Sequence, residues 1–274
     1  MSATPRQVLD ARGLRPKSSW GQNFLGDPAT QARIAEAACF GPGEAVVELG
    51  AGLGHLTLQL LAAGARVTAV ERDRDLVEVL RELHHERLAV LAANAADLDF
   101  ARAAGAPEVV VVGNLPYQLT SSILFQVLAQ RASIRRAVFT LQKEVVTRLC
   151  APPGGRDYGL LSALLGLYFR LEALFHVPAA AFHPRPKVDS AVIRMTPLPA
   201  PRAAVTSDEG YLRLVKAAFA HRRKTLLNSL ASDATLGGKD ALRAALDRAA
   251  VDPVRRAETL SPEEFAALER ALAG

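Results

Sequence analysis

Val109-Val110-Val111-Val112-Gly113-Asn114-Leu115-Pro116-Tyr117 decides the fold of this 274-residue chain. Four consecutive β-branched residues between Pro107 and Gly113 predict a strand buried on both faces, the habit of a central strand in a parallel sheet. Asn-Leu-Pro-Tyr then falls at the strand's carboxyl end, where open α/β sheets hold ligands. An ordinary Asn-Pro turn is the competing reading of those four letters.

Working outward, strand and helix patterns alternate on both sides. Upstream, a helix over 28–39 precedes the strand Ala45–Leu49, which runs into Gly50-Ala51-Gly52-Leu53-Gly54 and a helix opening near His55. Glycine loops of this kind let a ligand approach the backbone. The strand 66–70 ends in Glu71, placed where an acid binds ribose hydroxyls in a Rossmann-type unit. A helix over 75–86 and a strand over 88–92 complete this half. Downstream come a helix over 120–130, a strand over 136–141, helices over 143–150 and 158–169, and strands over 172–177 and 190–195. The alternation predicts a doubly wound α/β sheet. Beyond the proline-rich 197–201 only helices are expected, over 209–229, 239–250 and 262–272, the last with Ser261 and Glu264 as a capping box.

The chemistry of the central loop suits an exocyclic amine on adenine. Asn114 offers a side-chain oxygen and Leu115, restricted by Pro116, a carbonyl, so two acceptors can meet the N–H groups and orient the lone pair. Tyr117 adds a flat face for stacking. In Phe182-His183-Pro184-Arg185-Pro186-Lys187 the alternate prolines keep the chain extended, which would hold Phe182, Arg185 and Lys187 outward to stack an unpaired base and grip phosphates. The alternative is that Phe182 plugs the core. Arg222, Arg223 and Lys224 make a cationic cluster that either contacts RNA phosphates or is a solvated face.

Charge is distributed unevenly within a net +5. Residues 1–26 carry four bases against one acid, 27–130 seven against thirteen, and 131–194 ten against four. This segregation resembles a nucleic-acid footprint beside a small-molecule half, with arginine-rich solvated faces as the alternative. Residues 1–19 are expected to form a short helix and a flexible basic arm. No apolar run reaches the length of a membrane span, and Met1–Pro5 lacks a secretory layout, so a cytoplasmic protein is expected. Cys39 and Cys150 sit in apolar helical patterns without metal or redox spacing, and His84-His85 looks like a solvated helix end. No metal is expected.

Taken together, Gly21-Gln22-Asn23-Phe24-Leu25, Glu48 through Gly54, Glu71-Arg72-Asp73, Asn114-Leu115-Pro116-Tyr117, Leu141 through Val145, Phe182 through Val192 and His221 through Thr225 closely resemble the KsgA-type ribosomal RNA adenine dimethyltransferases. The match runs in order from about residue 20 to residue 260. The resemblance implies a Rossmann-like class I S-adenosylmethionine-dependent methyltransferase domain over 1–200 and a small all-helical domain over 201–274 that binds RNA and the ribosome. It implies transfer of two methyl groups to N6 of each of two adjacent adenosines near the 3′ end of 16S rRNA in the small ribosomal subunit, by a monomer.

By carry-over, Gln22, Asn23, Leu25, Gly50, Gly52, Glu71, Arg72, Asn94, Ala95 and Asn114 hold the cofactor. Asn114, Leu115 and Pro116 present the target amine, and Tyr117 and Phe182 sandwich the flipped base. No dedicated general base is predicted, because methyl transfer needs alignment more than proton abstraction. Two positions depart from the family pattern. Ala51 replaces a proline, and Asn94 stands where an aspartate usually accepts from the cofactor's adenine amine, with Asp97 as the alternative acceptor. Rival readings are the Erm type, which resembles this fold but methylates a large-subunit adenosine, a catalytically idle assembly factor, and a nicotinamide oxidoreductase.

Overall fold

The computed structural model describes residues 3–274; Met1 and Ser2, on which the reading of the amino terminus partly rests, lie outside the described residues. In chain order the elements are α1 (Pro5–Ala11), β1 (Phe24–Leu25), α2 (Pro28–Ala38), β2 (Ala45–Leu49), α3 (His55–Ala62), β3 (Arg66–Glu71), α4 (Arg74–Arg81), β4 (Leu88–Ala92) and α5 (Phe100–Ala104). They continue with β5 (Val109–Asn114), α6 (Thr120–Ala129), β6 (Ile134–Gln142), α7 (Lys143–Leu149), α8 (Leu160–Tyr168), β7 (Phe169–Val177), β8 (Phe182–His183) and β9 (Ser190–Pro197). The last helices are α9 (Asp208–Phe219), α10 (Leu226–Leu230), α11 (Lys239–Arg248) and α12 (Pro262–Ala273).

Seven strands form one sheet in the order β4-β3-β2-β5-β6-β9-β7, with β4 to β6 mutually parallel. The valines of β5 are all but inaccessible, as four apolar residues between β2 and β6 with α2 and α5 packed on the strand must be. β9 runs antiparallel to β6, with Phe139 opposite Ile193. Strand periodicity carries no sign of direction, so this reversal was invisible in the sequence. Also unforeseen are the short helix α5 and the two-stranded ribbon of β1 and β8, which pairs Leu25 with Phe182.

The described residues divide into two compact units, one running up to Val146 and joined by Glu172–Pro197, the other Thr147–Leu171 with Leu198–Gly274. The break expected at 200/201 therefore omits a crossover: the apolar helix α8 belongs with the carboxyl-terminal helices. Within that unit α8 and α12 pack on α9, and the buried Tyr211 hydroxyl donates to the Ala163 carbonyl at 3.0 Å. The single helix expected over 209–229 is broken at His221–Lys224. A straight rod of that length could not bury the apolar faces of both α9 and α10, whereas the turn lets Ser229 Oγ reach the Ala217 carbonyl at 2.8 Å. The capping box of α12 forms as its sequence predicts.

Candidate functional site

The carboxyl ends of β2, β3 and β5 surround a cavity of about 800 Å³ of empty space, its open mouth included. Its walls include Gln22, Asn23, Gly50, Gly52, Glu71, Arg72, Asn94, Ala95, Asn114, Leu115, Pro116, Tyr117 and Phe182. Residues far apart in the sequence are thus brought to one place.

On the glycine side, Gly52 has φ 58 and donates its N–H to a Glu71 carboxylate oxygen at 3.0 Å. A Cβ on Gly52 would stand 3.1 Å from the Phe24 ring, so the ring packs against the glycine backbone and leaves no room for a side chain there. The other Glu71 oxygen accepts from the Arg72 and Asp73 N–H groups at 2.8 and 2.9 Å. Three bonds leave a carboxylate some capacity for a further donor. Burial pushes the Glu71 carboxyl above its ordinary range, against the lowering effect of those N–H groups. Glu48, wholly buried below the loop, is pushed up to about 8 by burial and accepts from Thr57 Oγ1 at 2.5 Å. Ala51, in place of proline, keeps an N–H that bonds the Val70 carbonyl at 3.2 Å, and the turn is formed.

On the β5 side, Asn114 Nδ2 donates to the Asn23 carbonyl at 2.8 Å. That bond fixes which way the amide faces and leaves Oδ1 as the group that can accept. The Leu115 N–H is held by the Thr140 carbonyl at 3.3 Å, so its own carbonyl is set on rigid backbone. Gly113 must lack a side chain because a Cβ there would lie 2.6 Å from the Leu49 carbonyl oxygen. The Tyr117 hydroxyl lies 3.4 Å from Ser190 Oγ, which steadies the ring.

Several expectations are corrected. Leu25 does not reach the cavity: pairing of β1 with β8 turns it into the apolar cluster with Ile34 and Val110, and the neighbouring Phe24 lines the cavity instead. Phe182 is not held outward. It is 6% exposed and packed in that same cluster, because Leu25 fixes its register, yet its ring still borders the cavity. Asp97 is not a wall residue; it is exposed and accepts from Asn94 Nδ2 at 2.7 Å, while Asn94 Oδ1 accepts from the Ala96 N–H at 3.2 Å. Trp20, which no sequence motif marks, is also a lining residue. Its ring stacks under the Arg72 guanidinium at 4.0 Å, a contact that only the fold brings about.

The basic arm is neither free nor strongly cationic in effect. Arg6, Arg12 and Lys17 are ion-paired with Asp10, Glu82 and Asp73, and the side chain of Leu9 is buried. Arg135, Arg136 and Arg194 likewise pair with acids. By contrast Arg185 and Lys187, in the loop after β8, and Arg222, Arg223 and Lys224, in the turn after α9, are exposed and have no side-chain partner among the described residues. Burial raises the Cys39 thiol to about 11, which suits an inert packed side chain.

A sequence profile of the family described as ribosomal RNA adenine dimethylase matches residues 13–273. A protein of Myxococcus xanthus named ribosomal RNA small subunit methyltransferase A is 60% identical over 98% of this chain and 95% of its own length. A protein of the same name from Anaeromyxobacter sp. strain K is 53% identical over 98% of each chain. Among solved structures, the 23S rRNA methyltransferase ErmE superposes with a TM-score of 0.68 at 30% identity, covering 92% of this chain and 100% of that one. A dimethyladenosine transferase from Plasmodium falciparum gives a TM-score of 0.75 at 23% identity over 89% and 95% of the two chains, a likeness of fold.

Proposed function

We propose that this chain, which belongs to the ribosomal RNA adenine dimethylase family, methylates N6 of two adjacent adenosines near the 3′ end of 16S rRNA in the small ribosomal subunit, twice each. It is an S-adenosylmethionine-dependent ribosomal RNA dimethyltransferase with the class I fold. The small-subunit target is supported by the 53–60% identity to proteins named for that subunit, against 30% to one named for 23S rRNA. The reading also carries a cytoplasmic setting, where ribosomal subunits are found, and action as a single copy, which size-exclusion chromatography checks.

The observation that carries the chemistry is the paired acceptor at the end of β5. Asn114 Oδ1, oriented by the bond from Nδ2 to Asn23, stands next in sequence to the Leu115 carbonyl in one cavity with Glu71. The cavity suits the cofactor: glycine backbone, a buried carboxylate for ribose hydroxyls, and apolar Val70, Leu76 and Ile123 for a purine. When bound, S-adenosylmethionine supplies an electrophilic methyl on a positively charged sulfur.

The chain's own residues align the nucleophile. Tyr117 and Phe182 clasp the flipped base, and Asn114 and Leu115 take its N–H hydrogens so that the N6 lone pair leaves conjugation and points along the line of transfer. The proton displaced from N6 leaves through those acceptors to solvent. After the first transfer one N–H remains, and a single acceptor suffices to align the second.

Labelled S-adenosylmethionine and unmethylated small subunits should yield label on two adjacent adenosines near the 3′ end of 16S rRNA. Label confined to large-subunit RNA would overturn the target. In the same assay Asn114→Ala should slow single turnover roughly 100-fold with cofactor affinity nearly kept, the usual effect of losing a preorganised polar contact.

A further inference from the structure

A charged cluster adjoins the cavity beside Glu71 without serving as its wall. Lys17 Nζ lies 2.6 Å from Asp73 Oδ1 and 3.0 Å from Asp75 Oδ2. The Asp73 side chain is 3% exposed and also accepts from Gln22 Nε2 at 2.9 Å. Gln22 Oε1 in turn accepts the Lys17 backbone N–H at 2.7 Å, closing a ring of three residues. Between Lys17 and Gln22 sits Trp20, a wall of the cavity, with the Arg72 guanidinium 4.0 Å and the Lys17 ammonium 5.1 Å from its ring centre.

Further back the arm is held again. Leu9 packs with Phe24, Leu53, Leu76 and Val79, and Arg12 pairs with Glu82 at 2.5 Å. These contacts, with Leu14 packed on the same cluster, bring the arm to α4, and between Leu14 and the Asn23–Asn114 bond the side-chain hydrogen bonds that hold the segment carrying Trp20 are those of Lys17 and Gln22.

We propose that Lys17 and Asp73 are positioning residues for the cofactor: their ion pair pins 17–22 as a clasp that holds Trp20 over the end of the cavity beside Glu71. The inference rests on the reading of that cavity as the S-adenosylmethionine site. A carboxylate this buried is costly once its cation is removed, so loss of the pair releases the ring as a unit. Gln22 and Trp20 then leave their places together. A preorganised wall lowers the entropy lost on binding, and its effect falls chiefly on the rate of ligand release.

Trp20 is the one tryptophan of the chain, so its emission reports on this contact alone. The test is titration of the full-length protein with S-adenosylmethionine, followed by Trp20 emission and by calorimetry, in the parent, Lys17→Met and Lys17→Arg. Lys17→Met should weaken binding about tenfold through faster release, raising KM for the cofactor while kcat stays near parental. Lys17→Arg, which keeps the charge, should restore most of the loss. Asp73→Asn keeps the oxygen that caps α4 but loses the charge and the oxygen that meets Gln22, and should weaken binding at least as much as Lys17→Met at unchanged helical circular dichroism. Parental affinity in Lys17→Met, or equal impairment in Lys17→Arg, overturns the clasp while leaving the cavity's assignment intact. A parent that binds no S-adenosylmethionine overturns both.

Discussion

Asn94 shows how one residue changes meaning once its neighbours are known. As a sequence departure it looks like a weakened acceptor, for which Asn94→Asp would be a gain. In the structure its amide N–H bonds the Asp97 carboxylate at 2.7 Å, so aspartate at 94 would set two carboxylates against each other. Asn94→Asp alone should therefore leave S-adenosylmethionine binding no tighter, whereas Asn94→Asp with Asp97→Asn should tighten it about fivefold. Calorimetric titration of the single and double variants separates these outcomes; a gain from the single change would remove Asp97 from the account. Phe182 is the second case, being at once core residue and cavity wall. Truncation to alanine would confuse the two roles, since a buried Phe→Ala costs about 3–5 kcal/mol by itself. Phe182→Leu should cost stability less than about 1.5 kcal/mol yet weaken base capture by about 1–3 kcal/mol. Urea midpoints alongside KM for the subunit check it, and an unchanged KM would reduce Phe182 to packing.

At the scale of the element, β2 and the loop after it carry a buried acid that does not reach the cavity. Glu48 is moved from its ordinary value near 4.5 to about 8, first by burial and also by the nearby Glu71, against the opposing bond from Thr57. Its folded pKa lies above its unfolded one, so this group's stabilisation is complete in acid and is lost as pH rises through about 8. Glu48→Gln keeps an acceptor for Thr57 and cannot ionise. The thermal midpoint of the parent should fall between about pH 5 and 8 more steeply than that of Glu48→Gln, as scanning calorimetry across that range would record. Parallel curves would mean that Glu48 stays ionised within the fold. Gly113, at the end of β5, illustrates the other constraint at this scale: the strand terminus lies so close to the Leu49 carbonyl that only glycine fits between four valines and the acceptor pair.

For the whole molecule the question is which charges remain to meet RNA. Much of the basic excess is spent internally: Arg6, Arg12, Lys17, Arg135, Arg136 and Arg194 all face acids. Arg222, Arg223 and Lys224 stand exposed at the turn between α9 and α10. If they hold phosphates, RNA affinity should fall steeply with salt, and replacing all three by alanine should lower the slope of log affinity against log salt by up to about one unit per contact. Filter binding of ribosomal RNA over a salt series measures this, and a parental slope in the triple variant would leave the cluster a solvated face.

The sequence by itself determined the alternation of strands and helices, the position of Asn114 at the end of a buried strand, the pairing of Glu71 with a glycine loop, and the cap of α12. Each is written in a few consecutive residues, because backbone propensity, side-chain period and capping are local. The tertiary structure alone decided that β9 runs against β6, that α8 joins the carboxyl-terminal helices, that Phe24 rather than Leu25 faces the cavity, and that Trp20 reaches Arg72. Direction of pairing, register of a two-residue ribbon, and contacts between residues tens of positions apart depend on which apolar faces are buried together. That is a property of the packed chain, and no short stretch of it carries the information.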